Sequence, residues 1–270
     1  MPPGSGSVDL ADVVADGRVL RIEYALIAAA RTDAPLLVFL HEGLGSLAMW
    51  KDFPAALCAA TGMRGLVYSR PGYGRSTPRV ADERWPVDFM HRQAHLVLPA
   101  LLDTLGVRAP MWLFGHSDGG SIALLFAAAL PARTAGVVVV APHIMVEDVS
   151  ITSIEAARGA YANTDLRQRL ARYHDDPDSA FRGWNDVWLD PLFRSWSIES
   201  ELGPIACPVL AVQGRDDEYG TMAQIDGIAQ RVPQTQLVKL ADAGHSPHRD
   251  QPALLIAAVV AFVRKHAVDC

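Results

Sequence analysis

Residues 111–130, MWLFGHSDGGSIALLFAAAL, hold the pattern that decides the fold prediction. The first four residues are apolar, which is enough for a buried strand and too few for a helix. The Ala- and Leu-rich part from Ser121 to Leu130 predicts a helix that Pro131 ends. Between them, residues 115–119 match the pattern G-x-S-x-G. We therefore expect a strand, a sharp turn at a serine and a helix.

The spacing around Ser117 is typical of a nucleophile on a strained turn. Such a turn brings backbone segments close together, so Gly115 and Gly119, two positions before and after, need to be small. The helix that follows directs its free N–H groups at Ser117, where they stabilise negative charge. A serine alone is a poor nucleophile, so the pattern also requires a histidine and a carboxylate. The alternative is a glycine-rich loop with a helix-capping serine, which the flanking strand and helix disfavour.

Composition narrows the functional classes. The chain has 270 residues, half of them hydrophobic, which suits one large α/β domain with an inserted lobe. A formal charge of −6 without a dense Lys/Arg run argues against a nucleic-acid partner. Cys58, Cys207 and Cys270 form no disulfide or metal pattern, so we expect a cytoplasmic protein. The sequence has no signal-peptide profile and no transmembrane-length apolar run, so no membrane partner is expected.

Two interpretations compete for the loop HEGLGS at residues 41–46, which follows an apolar strand predicted at residues 36–40. Residues 43–48 fit G-x-G-x-x-A, a dinucleotide-binding pattern, and Arg70 ends the next strand, where a 2′-phosphate would lie. That pattern normally opens the first strand of its unit, whereas residues 19–27 already predict an earlier strand. We favour the second interpretation, in which the loop supplies an oxyanion donor for the serine, because it assigns two motifs to one site.

His91 and His95 lie four residues apart in a helical pattern that runs from Trp85 to Leu105. This spacing can place two metal ligands on one helix face. The glutamate of the zincin pattern and a third ligand are missing, so we expect no metal there. Both histidines are interpreted as solvated or core-edge residues.

The segment at residues 143–202 differs in character from the rest of the chain. Its aromatic residues include Tyr161, Tyr173, Phe181, Trp184, Trp188, Phe193 and Trp196. We expect a helical lid whose exposed aromatic faces line a pocket for an apolar or aromatic group. The alternative is that these rings only pack the lid onto the core.

Two later loops carry acidic and imidazole side chains. Gly214-Arg215-Asp216-Asp217-Glu218 follows a strand predicted at residues 208–213, and adjacent carboxylates repel unless one meets a cation or imidazole. A solvated acidic turn is the alternative. The loop at residues 243–248, AGHSPH, follows a strand predicted at residues 236–240. Loops at the same edge of a parallel sheet are neighbours in space, so the serine, acid and histidine loops are expected to meet.

Serine, acid and histidine in this order resemble the α/β-hydrolase superfamily, in its serine hydrolase, esterase-like branch. The resemblance runs from Val19 to the last helix and is loosest at residues 143–202. It implies an α/β fold, with a mostly parallel sheet flanked by helices. Residues 1–142 and 203–270 would form the hydrolase core and residues 143–202 an inserted helical lid.

The resemblance assigns roles to individual residues. Ser117 matches the nucleophile in GHSDGG, and His245 matches the general base in AGHSPHRDQP. His248 is the weaker candidate because no glycine precedes it. Asp217 matches the triad acid, which usually stands three residues after a glycine, and Asp216 stays open as its alternative.

The resemblance also implies an oxyanion site and a substrate pocket. The oxyanion donors would be the backbone N–H groups of Gly43 and Asp118, with Leu44 as a near alternative to Gly43. These assignments depend on position, since main-chain donors have no side-chain signature. Leu44, Trp184 and Trp188 are the expected pocket residues.

Glu42 departs from the family, in which His-Gly is common where this chain has His41-Glu42. A carboxylate that points at a developing oxyanion would repel it strongly in a site of low dielectric constant. Our hypothesis is that Glu42 points away and holds the loop or a lid residue by hydrogen bonds.

The expected activity is hydrolysis of a carboxylic ester of a small apolar or aromatic compound through an acyl-enzyme. The same triad serves lactones, thioesters, amides and carbon–carbon bonds next to a ketone, so these stay open. A hydrolase-fold ligand-binding protein with negligible turnover is a further alternative. No cofactor is expected, the expected partner is a small-molecule ester, and association into a homo-oligomer is left open.

Overall fold

The computed structural model describes residues 7–266, which form an eight-stranded sheet flanked by helices. The strands are β1 (Val8–Ala15), β2 (Arg18–Ile27), β3 (Leu36–Leu40), β4 (Arg64–Tyr68), β5 (Met111–His116), β6 (Thr134–Val140), β7 (Val209–Gly214) and β8 (Thr235–Leu240). Their order is β1-β2-β4-β3-β5-β6-β7-β8, with antiparallel pairing at β1–β2 and β2–β4 and parallel pairing elsewhere. This arrangement confirms the predicted fold class.

The β1–β2 hairpin turns at Asp16 and Gly17, whose φ angles are 52° and 72°. Two successive positive φ angles are typical of a type I′ turn, whose twist suits paired strands. β1 was not predicted from the sequence. Its outward side chains Val8, Leu10 and Val14 are apolar although they are exposed, so the alternation that marks a half-buried strand is missing.

β3 is buried at all five positions and separates two hydrophobic clusters. Leu36, Val38 and Leu40 enter one cluster, and Leu37 and Phe39 enter the other. Successive side chains of a strand point to opposite faces, so the two clusters lie on the two sides of the sheet. Because both faces are covered, the strand reads as a continuous apolar run.

The helices are α1 (Phe53–Thr61), α2 (Phe89–Arg92), α3 (Leu98–Thr104), α4 (Asp118–Ala129), α5 (Asp148–Asn163), α6 (Leu166–Leu170), α7 (Pro177–Trp188), α8 (Ala223–Arg231), α9 (Pro247–Asp250) and α10 (Pro252–His266). A π-helical turn at Gln93–Val97 joins α2 to α3. Pro99, just beyond it, has no N–H to donate, and a widened turn relieves the clash that its ring would cause. The long helix predicted here is therefore present, but it begins at Phe89 rather than Trp85.

The chain between β6 and β7 is largely helical and carries α5, α6 and α7. Its role as a lid stays a prediction. Five of its aromatic side chains are buried in the same cluster as one face of the sheet: Phe181, Trp184, Trp188, Phe193 and Trp196. The expectation of exposed aromatic faces is therefore wrong for these rings. Large apolar rings gain most from being removed from water, and here they pack the segment onto the core.

The cysteines and the paired histidines of the sequence analysis lie at separate places in the structure. Cys58 and Cys207 are free and buried, and burial raises their pKa values to about 12 and about 11; Cys270 lies outside the described residues. His91 Nε2 lies 2.9 Å from a carboxylate oxygen of Glu201. Within residues 7–266 no cluster of three or more side chains suited to a metal ion occurs, and no helix has the length and hydropathy of a membrane span.

Two glycine substitutions test the hairpin. Gly17→Ala places a Cβ at a φ of 72°, and we expect it to destabilise the protein by about 1–2 kcal/mol. Gly159→Ala, in the exposed part of α5 with open space around it, is the matched control and is expected to stabilise by about 0.5–1 kcal/mol. Urea unfolding of both variants measures the change. Equal effects of the two substitutions would contradict the assigned turn.

Candidate active site

Ser117 occupies the turn between β5 and α4, with φ 53° and ψ −121°. A Cβ atom on Gly115 would overlap the backbone of Gly119, and one on Gly119 would overlap the carbonyl of Leu40 at the end of β3. The turn therefore fits between its neighbours only with small residues at these two positions. α4 begins at Asp118 rather than at the predicted Ser121, so Ser117 stands directly at the helix N-terminus.

His245 joins Ser117 to Asp217. Its Nδ1–H donates to Asp217 Oδ1 at 2.8 Å, and its Nε2 accepts from the Ser117 hydroxyl at 2.9 Å. A carboxylate can only accept, so the Asp217 contact sets the tautomer that leaves Nε2 free to accept a proton. Three residues from three loops, which the sequence assigned to one site, thus form one hydrogen-bonded chain.

Asp217 is also held by hydrogen bonds from groups other than His245. Oδ1 accepts from the backbone N–H groups of Tyr219 at 2.8 Å and Gly220 at 3.3 Å, and Oδ2 accepts from Gln213 Nε2 at 3.0 Å. Burial alone would raise the pKa of the Asp217 carboxyl, but the hydrogen bond and charge of His245 hold it below its usual value. The Asp217 side chain is 2% exposed, whereas Asp216 is exposed, so the geometry favours Asp217 over Asp216.

His245 is held on several sides. His116 Nε2–H donates to the His245 carbonyl at 2.7 Å, and the His245 N–H donates to Glu218 at 3.1 Å. The rings of His143 and Tyr219 lie 5.7 Å and 4.7 Å from its ring centroid. Burial lowers the pKa of His143 to about 3, so this neighbour is uncharged at neutral pH. His245 is therefore fixed in position without a competing positive charge from His143.

His248, the weaker candidate for the base, is a packing residue. Its ring centroid lies 4.7 Å from that of His116 and 5.1 Å from that of Trp50. Burial lowers its pKa to about 2. A neutral, buried ring against two aromatic neighbours does not suit a group that must gain and lose a proton during a reaction.

Gly43 and Asp118 carry the two backbone N–H groups assigned to the oxyanion site. In the described part of the chain, the Gly43 N–H donates to no acceptor. The Asp118 N–H is the first of α4, and such N–H groups lack a partner within their helix. A Cβ atom on Gly43 would overlap the indole of Trp184, so this position fits only glycine. The neighbouring Leu44 carbonyl accepts from His174 Nε2 at 3.1 Å.

Glu42 turns its carboxylate to two cationic or imidazole groups. Oε1 accepts from Arg249 at 3.0 Å, and Oε2 lies 3.4 Å from His116 Nδ1. Burial alone would raise the pKa of Glu42, but His116 and Arg249 hold it well below its usual value. Arg249 belongs to α9 and His116 to β5. Of the two alternatives in our hypothesis, the one in which Glu42 holds a lid residue is wrong. The contacts agree with the other, in which Glu42 holds its own loop, here to the sheet and to the helix after the histidine loop.

Arg70 is 1% exposed and lies against the site rather than facing solvent. Its Nη2 donates to the Glu42 carbonyl at 2.7 Å and lies 3.9 Å from Asp118 Oδ2. These contacts bury the guanidinium among protein groups, and two strands precede β3 along the chain. The geometry therefore disfavours the dinucleotide interpretation.

The three expected pocket residues, Leu44, Trp184 and Trp188, all border the site. Trp188 Nε1–H donates to Asp118 Oδ1 at 3.2 Å, and its ring lies 4.9 Å from that of His143. The sequence reasoning missed His143, although a polar residue just after a buried strand is a usable signal. It also missed Gln213 and His116, which have no local signal because their partners are distant in the chain, and it considered Arg70 only as a phosphate ligand.

Glu42→Gln tests the buried carboxylate. A depressed folded-state pKa means that Glu42 stabilises the protein above its unfolded-state pKa, and this contribution is lost as pH falls through the lower folded-state value. We expect the variant to lose about 1–3 kcal/mol at pH 7 and progressively less below about pH 4. Urea unfolding across this range measures it, with Glu155→Gln on the exposed side of α5 as control. A deficit that did not change with pH would contradict the assigned charge state.

The chain resembles known proteins over most of its length. The model of the alpha/beta hydrolase family matches residues 37–258. A putative carbamate hydrolase, RutD of Pseudomonas savastanoi pv. phaseolicola, is 29% identical over 82% of this chain and 90% of its own length. The sn-1-specific diacylglycerol lipase ABHD11 of Mus musculus is 25% identical over 92% of this chain and 87% of its own.

Solved structures share the fold. A putative lipase of Acinetobacter baumannii superposes with a TM-score of 0.77, covering 97% of this chain and 93% of its own at 18% identity. At that identity the likeness supports the fold alone. The family match over most of the chain is the stronger finding, and it agrees with the order of the three loops at the sheet edge. The chain belongs to the alpha/beta hydrolase family.

Proposed function

We propose that the protein is a serine hydrolase that cleaves a carboxylic ester of a small apolar or aromatic compound through an acyl-enzyme. The observation that carries the proposal is the position of His245, with one ring nitrogen 2.9 Å from the Ser117 hydroxyl and the other 2.8 Å from Asp217. This geometry supplies a nucleophile, a base and an orienting acid in one line.

The mechanism follows from these positions. His245 takes the hydroxyl proton of Ser117 as the oxygen attacks the acyl carbonyl, and the carbonyl electrons move onto its oxygen. The N–H groups of Gly43 and Asp118 hold this oxyanion. As it collapses, the ester bond breaks and His245 gives its proton to the leaving alcohol. Water activated by His245 then cleaves the acyl-enzyme, and Asp217 stabilises the imidazolium in both steps.

The inserted segment supports a covered reaction site. Trp184 lies over Gly43, Trp188 donates to Asp118, and His174 donates to the Leu44 carbonyl. Three contacts thus tie residues 143–202 to both proposed oxyanion elements. We infer that this segment is the lid, that it limits water around the serine, and that its apolar composition favours apolar or aromatic substrates.

A carbamate is the second candidate substrate. The similarity to RutD, which is named as a putative carbamate hydrolase, favours this candidate. Attack on a carbamate carbonyl uses the same nucleophile, base and oxyanion donors, so the geometry supports both bonds. The two candidates are therefore distinguished by the rates at which the protein turns over esters and carbamates, because the role of each residue is the same for both.

The carboxylate pair at the end of β7 gives a matched test of the acid. Asp217→Asn is expected to lower kcat by about 10⁴, because the amide favours the wrong histidine tautomer. Asp216→Asn changes an exposed neighbour and is expected to leave kcat within a few-fold of wild type. Steady-state kinetics on one ester measures both variants. A larger loss for Asp216→Asn would move the acid to that residue.

The proposed reaction is tested with p-nitrophenyl acetate, butyrate and benzoate, and with p-nitrophenyl N-methylcarbamate. We expect the wild type to turn over the esters faster than the carbamate, and Ser117→Ala to lose about 10⁶ in kcat. Faster carbamate turnover would select the second candidate. Stoichiometric ligand retention without turnover, or full activity in Ser117→Ala, would contradict a serine hydrolase.

A further inference from the structure

Arg70 is a buried cation that the proposed mechanism does not yet use. It follows β4 by two residues, and its side chain is 1% exposed. Burying a guanidinium is costly unless it is paired and hydrogen-bonded. Among the described residues, its Nε and Nη1 have no hydrogen-bond partner. The burial of a guanidinium with two unpaired nitrogens calls for an explanation. The contacts of the third nitrogen, Nη2, suggest what the buried cation does.

The contacts of Arg70 converge on the loop after β3. Nη2 donates to the Glu42 carbonyl at 2.7 Å, and the Arg70 backbone N–H donates to His41 Nε2 at 3.0 Å. With Nε2 accepting, His41 carries its proton on Nδ1, which donates to the same Glu42 carbonyl at 2.7 Å. The Glu42 oxygen therefore accepts two hydrogen bonds, one direct and one through a ring that Arg70 orients.

The Glu42 carbonyl and the Gly43 N–H belong to one planar peptide group. Fixing the oxygen of such a group fixes the direction of its N–H, because the two are held trans across the same bond. Donors on the oxygen also polarise the peptide and strengthen the N–H as a donor. By binding the Glu42 oxygen, Arg70 thus orients and polarises the Gly43 N–H at the other end of the same peptide group.

The second donor residue is in reach of the same nitrogen. Arg70 Nη2 lies 3.9 Å from Asp118 Oδ2, and both side chains are 1% exposed. Burial raises the pKa of the Asp118 carboxyl, and the guanidinium opposes that rise. The other oxygen of Asp118 accepts from Trp188. Among the described residues Asp118 Oδ2 has no hydrogen-bond partner, so the guanidinium acts on this carboxylate, directly after the proposed nucleophile, through charge.

We propose that Arg70 is a positioning residue for the oxyanion site. One guanidinium nitrogen holds the Glu42–Gly43 peptide by its oxygen and attracts the Asp118 carboxylate by charge, so that both N–H donors face the oxygen of the carbonyl group that Ser117 attacks. The inference rests on the proposed function and adds a specific effect to it. Arg70 touches neither substrate nor serine, so its removal weakens stabilisation of the tetrahedral oxyanion and leaves ground-state binding intact.

A simpler role is that Arg70 only neutralises Asp118. The double variant Arg70→Met/Asp118→Asn separates the two roles, because it removes both charges and leaves no buried carboxylate unpaired. It keeps the Asp118 backbone N–H but loses the hold on Glu42. A purely structural pair would give a double variant with normal kinetics.

The experiment compares wild type, Arg70→Met, Arg70→Lys and the double variant on one ester. We expect kcat to fall about 10- to 100-fold in Arg70→Met and in the double variant, with KM nearly unchanged, since removing a whole oxyanion donor costs about 10²–10³. Arg70→Lys keeps a charged donor and is expected to recover part of the loss. Arg75→Met, an exposed arginine on the same loop, is the control.

The affinities for two inhibitors distinguish a role in the oxyanion site from a purely structural role. A trifluoromethyl ketone forms a charged tetrahedral adduct with the serine, whereas the matching methyl ketone reports ground-state binding. We expect only the trifluoromethyl ketone to bind more weakly in the variants, by the factor lost from kcat/KM. Equal losses for both ketones, or wild-type kcat in a folded double variant, would overturn the proposal.

The remaining outcomes are also decisive. If Arg70→Met and the double variant do not fold, Arg70→Lys carries the test, and wild-type kinetics in that variant would overturn the requirement for a guanidinium. If the wild type neither hydrolyses the ester nor binds the trifluoromethyl ketone, the proposed function fails and this inference fails with it. A wild type that turns over while all Arg70 variants match it refutes the Arg70 role alone.

Discussion

The site depends on one constraint, which is the close approach of the backbone at the start of α4 to the backbone at the carboxyl end of β3. Ser117 holds a positive φ of 53° because β5 must turn into α4 within one residue, and Gly119 lies against the Leu40 carbonyl at the end of β3. A left-handed conformation in a non-glycine residue is costly and persists only where the surrounding structure enforces it. The parallel neighbours β3 and β6 provide that enforcement. The same contact places the loop after β3 beside the serine, so the strain and the oxyanion site share one cause.

Buried charge is the second organising feature. Arg70 and Asp118 lie behind the proposed oxyanion donors, and Glu42 joins the loop after β3 to Arg249 and His116. Ion pairs of this kind rarely add much stability, because desolvation cancels most of the attraction. Their value here is geometric, because each pair links the main-chain segment of one proposed oxyanion donor to another part of the structure. The departure from His-Gly at Glu42 therefore adds an ionic contact that holds the loop after β3.

The parts of the fold predicted from sequence are those with a local signature. A continuous apolar run identified the buried strand at residues 36–40, and glycine spacing identified the turn at Ser117. The loops that carry Asp217 and His245 were identified because each follows a predicted strand, and the roles of these two residues come from the resemblance to the family. The rest depends on contacts between distant residues: Glu42 meets Arg249, 207 positions away, and no local pattern encodes that pairing. The aromatic rings between β6 and β7 were misjudged for a related reason, since ring type does not tell which face the core covers.

The proposed reaction depends above all on the activation of Ser117 as a nucleophile. The most direct measurement is the intact mass of the protein after incubation with a small reactive phosphonate, with Ser117→Ala measured in parallel, followed by mapping of the labelled peptide. We predict a single adduct on the wild type, located at Ser117 and absent from the variant. An unlabelled wild type, or equal labelling of the variant, would contradict it, because the 2.9 Å contact with His245 would then not activate the hydroxyl.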